Sequence, residues 1–362
     1  MLKYYGKGDE FHGAFHFKYQ GLLMNSIKNE KRNSNFFTDL HTIQNRLPKG
    51  TQDILFLSNH DHYIGDRVAT QLNGNEGKIK LSASLYILLS GIPTIYYGEE
   101  IGMKGGGSND ELRKSMEWEI TNQQIKDPNS ILNHYKRLLK IRNYYETSLS
   151  LGNSKYVPTH SQGRWDGYSN EFPFVSILRE YGNEKMIVIH SFHPNPEELH
   201  LNLKSFGIKE NSEVHVIMGI YHGVKYDNIS TNNDGFYSIK QQFPFTTKIL
   251  FIGNIDNYRG ENDTILTYEN ALDWKPRTIN PIPSPKYSIL PIESTPRIQP
   301  RNSSNQKPPD TEQNVNNTSL IFASIVLAII LFGITTIFIG ITISIVYFKV
   351  KEKKEEIYEQ IN

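Results

Sequence analysis

The chain has 362 residues, enough for two domains of ordinary size with extensions. Its 39 basic and 38 acidic residues nearly cancel, which argues against nucleic acid as a partner. It holds no cysteine, which excludes disulfides, a thiol nucleophile and a cysteine zinc site. The N-terminal MLKYYGKGDEFHG has no apolar stretch and does not read as a signal peptide. Asp53-Ile-Leu-Phe-Leu-Ser58 is a continuous apolar run, as in a parallel strand buried on both faces, and Asn59-His60-Asp61 follow at once. Lys78 to Leu89 places Ile79, Leu81, Ala83, Leu85, Leu88 and Leu89 mostly on one helical face, and Gly91 and Pro93 end that helix. Thr94 to Tyr97 reads as the next short strand. Asp127 and Pro128 read as the N-cap and first-turn proline of a helix that buries Ile131, Leu132, Tyr135, Leu138 and Leu139. Strand and helix alternating in this rhythm predict a parallel α/β architecture over residues 1–150.

The pattern changes after Gly152. Phe174–Leu178, Met186–Ile189, Val214–Ile217 and Lys248–Phe251 are short apolar strands split by turn residues, which predicts an antiparallel β domain, a sandwich, over 151–253. Residues 254–319 are expected to form an extended stalk; nine of the 17 prolines fall between Trp274 and Thr318, mixed with Ser, Asn and Gln. Leu320 to Phe348 is 29 residues without a charge and is expected to cross a membrane as one helix. Lys349, Lys351, Lys353 and Lys354 crowd its far flank, whereas Asn314–Ser319 is uncharged. The bias places the 349–362 tail in the cytosol and the rest of the chain in an extracellular or lumenal space. Sequons at Asn228, Asn262, Asn302, Asn316 and Asn317 fit that orientation. It would need a leader ahead of Met1, so a longer protein is expected.

FLSNHD at 56–61, GIPTIYYGEEIGM at 91–103, ELRKSMEW at 111–118 and DPNSILNHYKRLLKIRN at 127–143 resemble, in order and spacing, the α-amylase family of glycoside hydrolases (family 13). The resemblance covers roughly residues 1–253. It implies the C-terminal part of a (β/α)8 TIM barrel followed by an antiparallel β domain, with Phe15-His-Phe17, Ile54–Ser58 and Thr94–Tyr97 in the sixth, seventh and eighth strands. It implies retaining cleavage or transfer of α-glucosidic bonds, with an α-glucan or maltooligosaccharide as substrate and no cofactor. Asp61 matches the family's third carboxylate, the transition-state stabiliser, and His60 matches the neighbour that donates to the same sugar. Asn59 and Arg67 are further candidate substrate-binding residues; Arg67 stands six positions after Asp61 where the family's arginine stands three, behind an inserted His62-Tyr-Ile-Gly-Asp66. Ser115 also replaces a usual proline. The nucleophile and general-acid motifs have no counterpart here, and Asp9 and Glu10 read as loop residues. No metal site is assigned. Three readings stand: a membrane-anchored α-glycosidase seen as its C-terminal part, a non-catalytic, amylase-like membrane glycoprotein with an ancillary or sugar-binding role, or a polypeptide with no function of its own.

Overall fold

The structure, a computed structural model, describes residues 11–31, 47–48, 51–161, 164–165, 172–209, 212–221, 224–225, 229–231 and 236–275. The proposed span Leu320–Phe348, the tail, the stalk beyond 275, and Asp9 and Glu10 lie outside the described residues. Among the described residues no helix is long and apolar enough to cross a membrane. The chain divides into two compact units, Met1–Pro283 and Ser284–Asn362, and the described residues all belong to the first.

Three short strands, β1 (Gly13–Phe15), β2 (Gln52–Leu55) and β3 (Ile92–Pro93), pair in parallel in the order β1-β2-β3. Helix α1 (Phe17–Lys28) follows β1 and buries Tyr19, Leu22, Leu23 and Ile27, the spacing of one helical face. A short α2 (Val68–Gln71) and then α3 (Glu76–Ile87) lead from β2 to β3. Helix α3 is capped by Asn75, whose side chain accepts the Lys78 N–H. Its second half, Leu81 to Ile87, is buried on every side; Ser82 and Ser84 tolerate this by donating to the Ile79 and Lys80 carbonyls. After β3 come α4 (Asn109–Leu112), α5 (Trp118–Lys126) and α6 (Ile131–Tyr144).

The expected elements hold with local shifts. The strand expected at Thr94–Tyr97 sits two residues earlier, and Thr94 still donates to the Leu55 carbonyl at 2.7 Å. Tyr96 and Tyr97 leave the sheet because both side chains reach the following loop, donating to the Leu112 and Lys114 carbonyls. The cap of α6 is Ser130, which accepts the Asn133 N–H. Asp127 instead closes a turn on the Asn129 N–H. Leu139, expected in the core, is 39% exposed.

The β domain packs two sheets. Strands β4 (Asn153–Tyr156), β5 (Thr159–Ser161), β6 (Arg164–Trp165), β7 (Phe174–Tyr181), β8 (Glu184–Ser191), β9 (Glu197–Asn202), β10 (Val214–Tyr221), β11 (Val224–Lys225), β12 (Ile229–Thr231), β13 (Phe236–Gln242) and β14 (Thr247–Ile252) follow in chain order. They form a six-stranded sheet, β11-β10-β14-β8-β7-β4, and a five-stranded sheet, β12-β13-β9-β5-β6. Leu178, Ile187, Ile189, Leu250 and Ile252 fill the space between the sheets with Leu199, Leu201, Tyr237 and Ile239. Their neighbours Ile177, Met186, Val188, Ile249 and Phe251 join the core of the α/β part. Both faces of the central strands are therefore covered, which accounts for their unbroken apolar runs.

Residues 254–275 are not stalk. Ile255, Leu266, Tyr268, Ala271 and Trp274 are buried in the core that α6 shares with the six-stranded sheet. The Tyr145 hydroxyl donates to the Leu266 carbonyl at 2.7 Å, and the Tyr268 N–H to the Ile217 carbonyl at 2.7 Å. These five apolar residues are too irregularly spaced to signal an element, so the polar residues between them dominate the sequence pattern.

Two buried arginines gather near the C-terminus of α3, and Arg179 ties the β domain to the α/β part. Arg142 of α6 donates to the carbonyls of Ile87, Leu89 and Gly91, and Arg179 of β7 to those of Leu88 and Gly152. Apart from Gly152, which precedes β4, these carbonyls lie at and just past the C-terminus of α3, where positive charge is also favoured by the helix dipole. Burial lowers both guanidinium pKa values, to about 10 for Arg142 and about 9 for Arg179, so both stay charged at neutral pH.

Candidate active site

Strand β2 ends at Leu55, and its extension carries Asn59, His60 and Asp61 past the carboxyl end of the sheet. Active sites of parallel α/β barrels gather at this end. Asn59 turns the chain, because its Oδ1 accepts the Asp61 N–H at 2.8 Å. The turn leaves His60 mostly exposed and Asp61 part-exposed, with His60 Nε2 3.4 Å from Asp61 Oδ1. Arg113, one residue after α4, braces the pair from the other side. Its Nη2 lies 3.2 Å from Asp61 Oδ1 and its Nε donates to the His60 carbonyl at 3.1 Å.

Arg67 does not face the same space. It is buried at 1% exposure, with its guanidinium against the rings of both Tyr96 and Tyr97, 4.6 and 4.7 Å from their centres. It donates to the carbonyls of Tyr97 and Leu112, both at 2.6 Å. The structure thus corrects the expectation of a substrate contact: Arg67 ties the loop after β3 to the loop after β2. The inserted residues 62–66 form a 3-10 turn at His62–Ile64. They clamp onto residues 105–109, with Asp66 Oδ1 accepting the Gly107 N–H at 2.9 Å and lying 3.1 Å from His62 Nδ1. The His62 N–H donates to Asn109 Oδ1 at 2.7 Å.

Beneath the turn lies Glu99, at 3% exposure. Its Oε2 accepts from Ser58 Oγ at 2.8 Å, and its Oε1 from the hydroxyls of Tyr86 at 2.9 Å and Tyr135 at 3.0 Å. Gly98 and Gly102, both left-handed (φ 81° and 70°), set the short turn that carries it. A side chain at Gly98 would also meet Met103 Sδ at 2.6 Å. Burial raises the Glu99 pKa to about 7; the three hydroxyl hydrogen bonds pull it down and the charge of Glu100 adds to the rise. Sequence reasoning assigned no role to Arg113 or Glu99. For Glu99 a signal exists, a carboxylate between two glycines in an otherwise apolar block. For Arg113 none does, since its distance to Asp61 arises only on folding.

A cavity of about 560 Å³ lies elsewhere, lined among others by Glu76, Lys80, His134, Phe245 and Tyr268. Lys80 pairs with Glu76 and His134 Nδ1 with the Tyr268 hydroxyl, so its chief polar groups already have partners.

A parallel sheet backed by helices, a β sandwich behind it, and a braced His-Asp pair beyond a strand's carboxyl end are the layout of a parallel α/β domain with its candidate site at the carboxyl end of the sheet. Residues 1–150 match the family model described as alpha amylase, catalytic domain. Alpha-amylase 3 of Dictyoglomus thermophilum is 30% identical over a match covering 49% of this chain and 38% of that protein. Intracellular maltogenic amylase of Bacillus subtilis is 26% identical, covering 58% of this chain and 33% of that one. The fold is shared with solved structures: the α-amylase from H. orenii has a TM-score of 0.54 at 22% identity, over 68% of this chain and 50% of that one. The α-amylase from Geobacillus thermoleovorans, solved in complex with acarbose, also scores 0.54 at 18% identity, over 70% and 50%. The chain therefore spans between a third and a half of the length of these relatives.

Proposed function

We propose that the chain is part of a retaining glycosidase that acts on α-glucosidic bonds of α-glucans or maltooligosaccharides. The observation that carries this reading is the open His60-Asp61 pair, braced by Arg113 beyond the carboxyl end of β2. In this reading Asp61 accepts hydrogen bonds from the hydroxyls of the sugar being cleaved, and His60 donates to the same ring. The negative charge of Asp61 also helps keep a neighbouring general acid protonated. Retaining chemistry needs a nucleophilic carboxylate and an acid about 5 Å apart. Neither role is assigned here to a described residue. Asn59 shapes the turn and Arg67 holds the loops; neither needs to touch sugar.

The test is hydrolysis of maltoheptaose by the complete reading frame. Asp61→Asn is expected to lower kcat by about 10²–10³-fold, the scale of a removed transition-state contact. An unchanged kcat overturns the assignment of Asp61. The 362-residue chain alone is expected to give no turnover; turnover that Asp61→Asn abolishes would place the nucleophile and acid within it.

The same protein is proposed to be anchored by Leu320–Phe348 with its tail in the cytosol, a reading supported by the uncharged run and its lysine-rich flank. Protease added outside sealed membranes should spare a tag at Asn362 and digest residues 11–275. Digestion of the tag with sparing of the folded part would reverse the orientation.

A further inference from the structure

We propose that Glu99 is a positioning residue for the Asn59–Asp61 turn: held by two tyrosines of the helix layer, its carboxyl group grips Ser58 and so fixes where His60 and Asp61 stand. The sugar-binding consequence rests on the glycosidase reading; the positioning itself does not. Four buried side chains from four segments meet at this carboxyl group: Ser58 at the end of the β2 extension, Tyr86 of α3, Tyr135 of α6, and Glu99 itself after β3. None is more than 3% exposed. Ser58 is the last residue before the turn, so its hydroxyl is the final anchor the chain meets before it enters solvent. On the other side Gln20 of α1 holds the preceding residue, its Nε2 donating to the Leu57 carbonyl at 2.8 Å. The backbone is thus pinned at two successive residues, one to α1 and one, through Glu99, to α3 and α6.

An apolar residue would fill the same volume without the desolvation cost of a buried carboxyl group. What it would lack is the pair of oxygens that link Ser58 to both tyrosines. Glutamine keeps that geometry, because its Oε1 can accept from the tyrosines while its Nε2 donates to Ser58 Oγ. When Glu99 is protonated, its acid hydrogen can likewise point to Ser58 Oγ. The ionisable groups that face Glu99 are Tyr86, Tyr135 and Glu100.

The experiment is hydrogen–deuterium exchange of the full chain, read at single amides by mass spectrometry, and it needs no sugar. The probe is the Asp61 N–H, with the amides of Asp53 to Leu55 in β2 as internal reference. Ser58→Ala and Glu99→Leu should speed exchange at Asp61 about tenfold, and Glu99→Gln should stay within about twofold of the parent chain. The β2 amides should not change in Ser58→Ala or Glu99→Gln. Exchange at Asp61 that stays at the parent rate in Ser58→Ala overturns the proposal. So does acceleration spread equally through β2, which marks a global loss of stability. If Glu99→Leu does not fold, Ser58→Ala decides alone. Failure of the glycosidase reading would appear in the maltoheptaose assay and leave this result untouched.

Discussion

Between Arg113 and Asp61 the 3.2 Å ion pair is open to solvent, with the Arg113 side chain 50% exposed. Screening limits such a pair to at most about 1 kcal/mol of stability; its effect is on the direction in which Asp61 points. Arg113→Met should therefore shift the urea midpoint by less than about 0.5 kcal/mol equivalent, yet weaken maltoheptaose binding to the complete enzyme several-fold. Equal binding in calorimetry would remove Arg113 from the site. Glu99 makes the opposite prediction. Its folded pKa of about 7 lies above its ordinary 4.5, so the folded state binds the extra proton between those values. The stability linked to that proton is fully present below pH 4.5 and is lost as pH rises through about 7. The loss amounts to roughly 3 kcal/mol. Burial lowers His134 and His190 to about 3, so their contribution rises with pH over the same range. Urea titrations from pH 5 to pH 8 should therefore be read as a difference, with the parent chain losing stability relative to Glu99→Gln as pH rises. Parallel profiles in the two chains would refute it. The residues of the His-Asp motif were legible in sequence because their order survives unfolding. Arg67 was misread because sequence places it near the motif but cannot show the two tyrosine rings that pack against it.

At the scale of elements, two buried arginines meet near the C-terminal end of α3. Arg142 and Arg179 together satisfy carbonyls of Ile87, Leu88, Leu89, Gly91 and Gly152. Arg179→Leu leaves two of those carbonyls without this donor in a dry site, and should cost about 3 kcal/mol. The check is the urea midpoint, with Lys155→Leu on the exposed side of β4 as a control expected to change it little. The strands and helices themselves were legible where the apolar period is clean, as in α3, α6, β7, β8 and β14. Short strands such as β5 and β6 carry too few residues for any period to register. The boundaries moved wherever a side chain had a better use for the backbone, as at Ser130 and at Tyr96-Tyr97.

For the molecule as a whole, one core joins parts that the sequence divides at residue 150. Tyr19 and Leu23 of α1, Leu85 of α3, Val188 of β8 and Trp274 belong to the same cluster. Ending the chain after Gly253 would strip five apolar side chains from α6 and β10, each worth about 1.5–3 kcal/mol before the entropy of ordering the segment. A net loss of at least about 2 kcal/mol should appear as a lower thermal midpoint; an unchanged midpoint would mean the segment is only loosely applied. Phe11, Phe15, Phe17 and Ile92, 46–58% exposed, line the strands and their ends where further barrel strands would pack in the proposed complete enzyme.

The sequence by itself determined the resemblance to the α-amylase family, the order of parallel and antiparallel parts, and the identity of the His-Asp pair, because all three are written as local patterns and motif spacing. Only the tertiary structure decided which charged groups reach Asp61, which arginine is buried, how a glutamate from the turn after β3 grips Ser58, and that residues 254–275 return to the core. Each of those depends on distances between segments far apart in the chain. Such distances are fixed by packing and desolvation, and no local pattern encodes them.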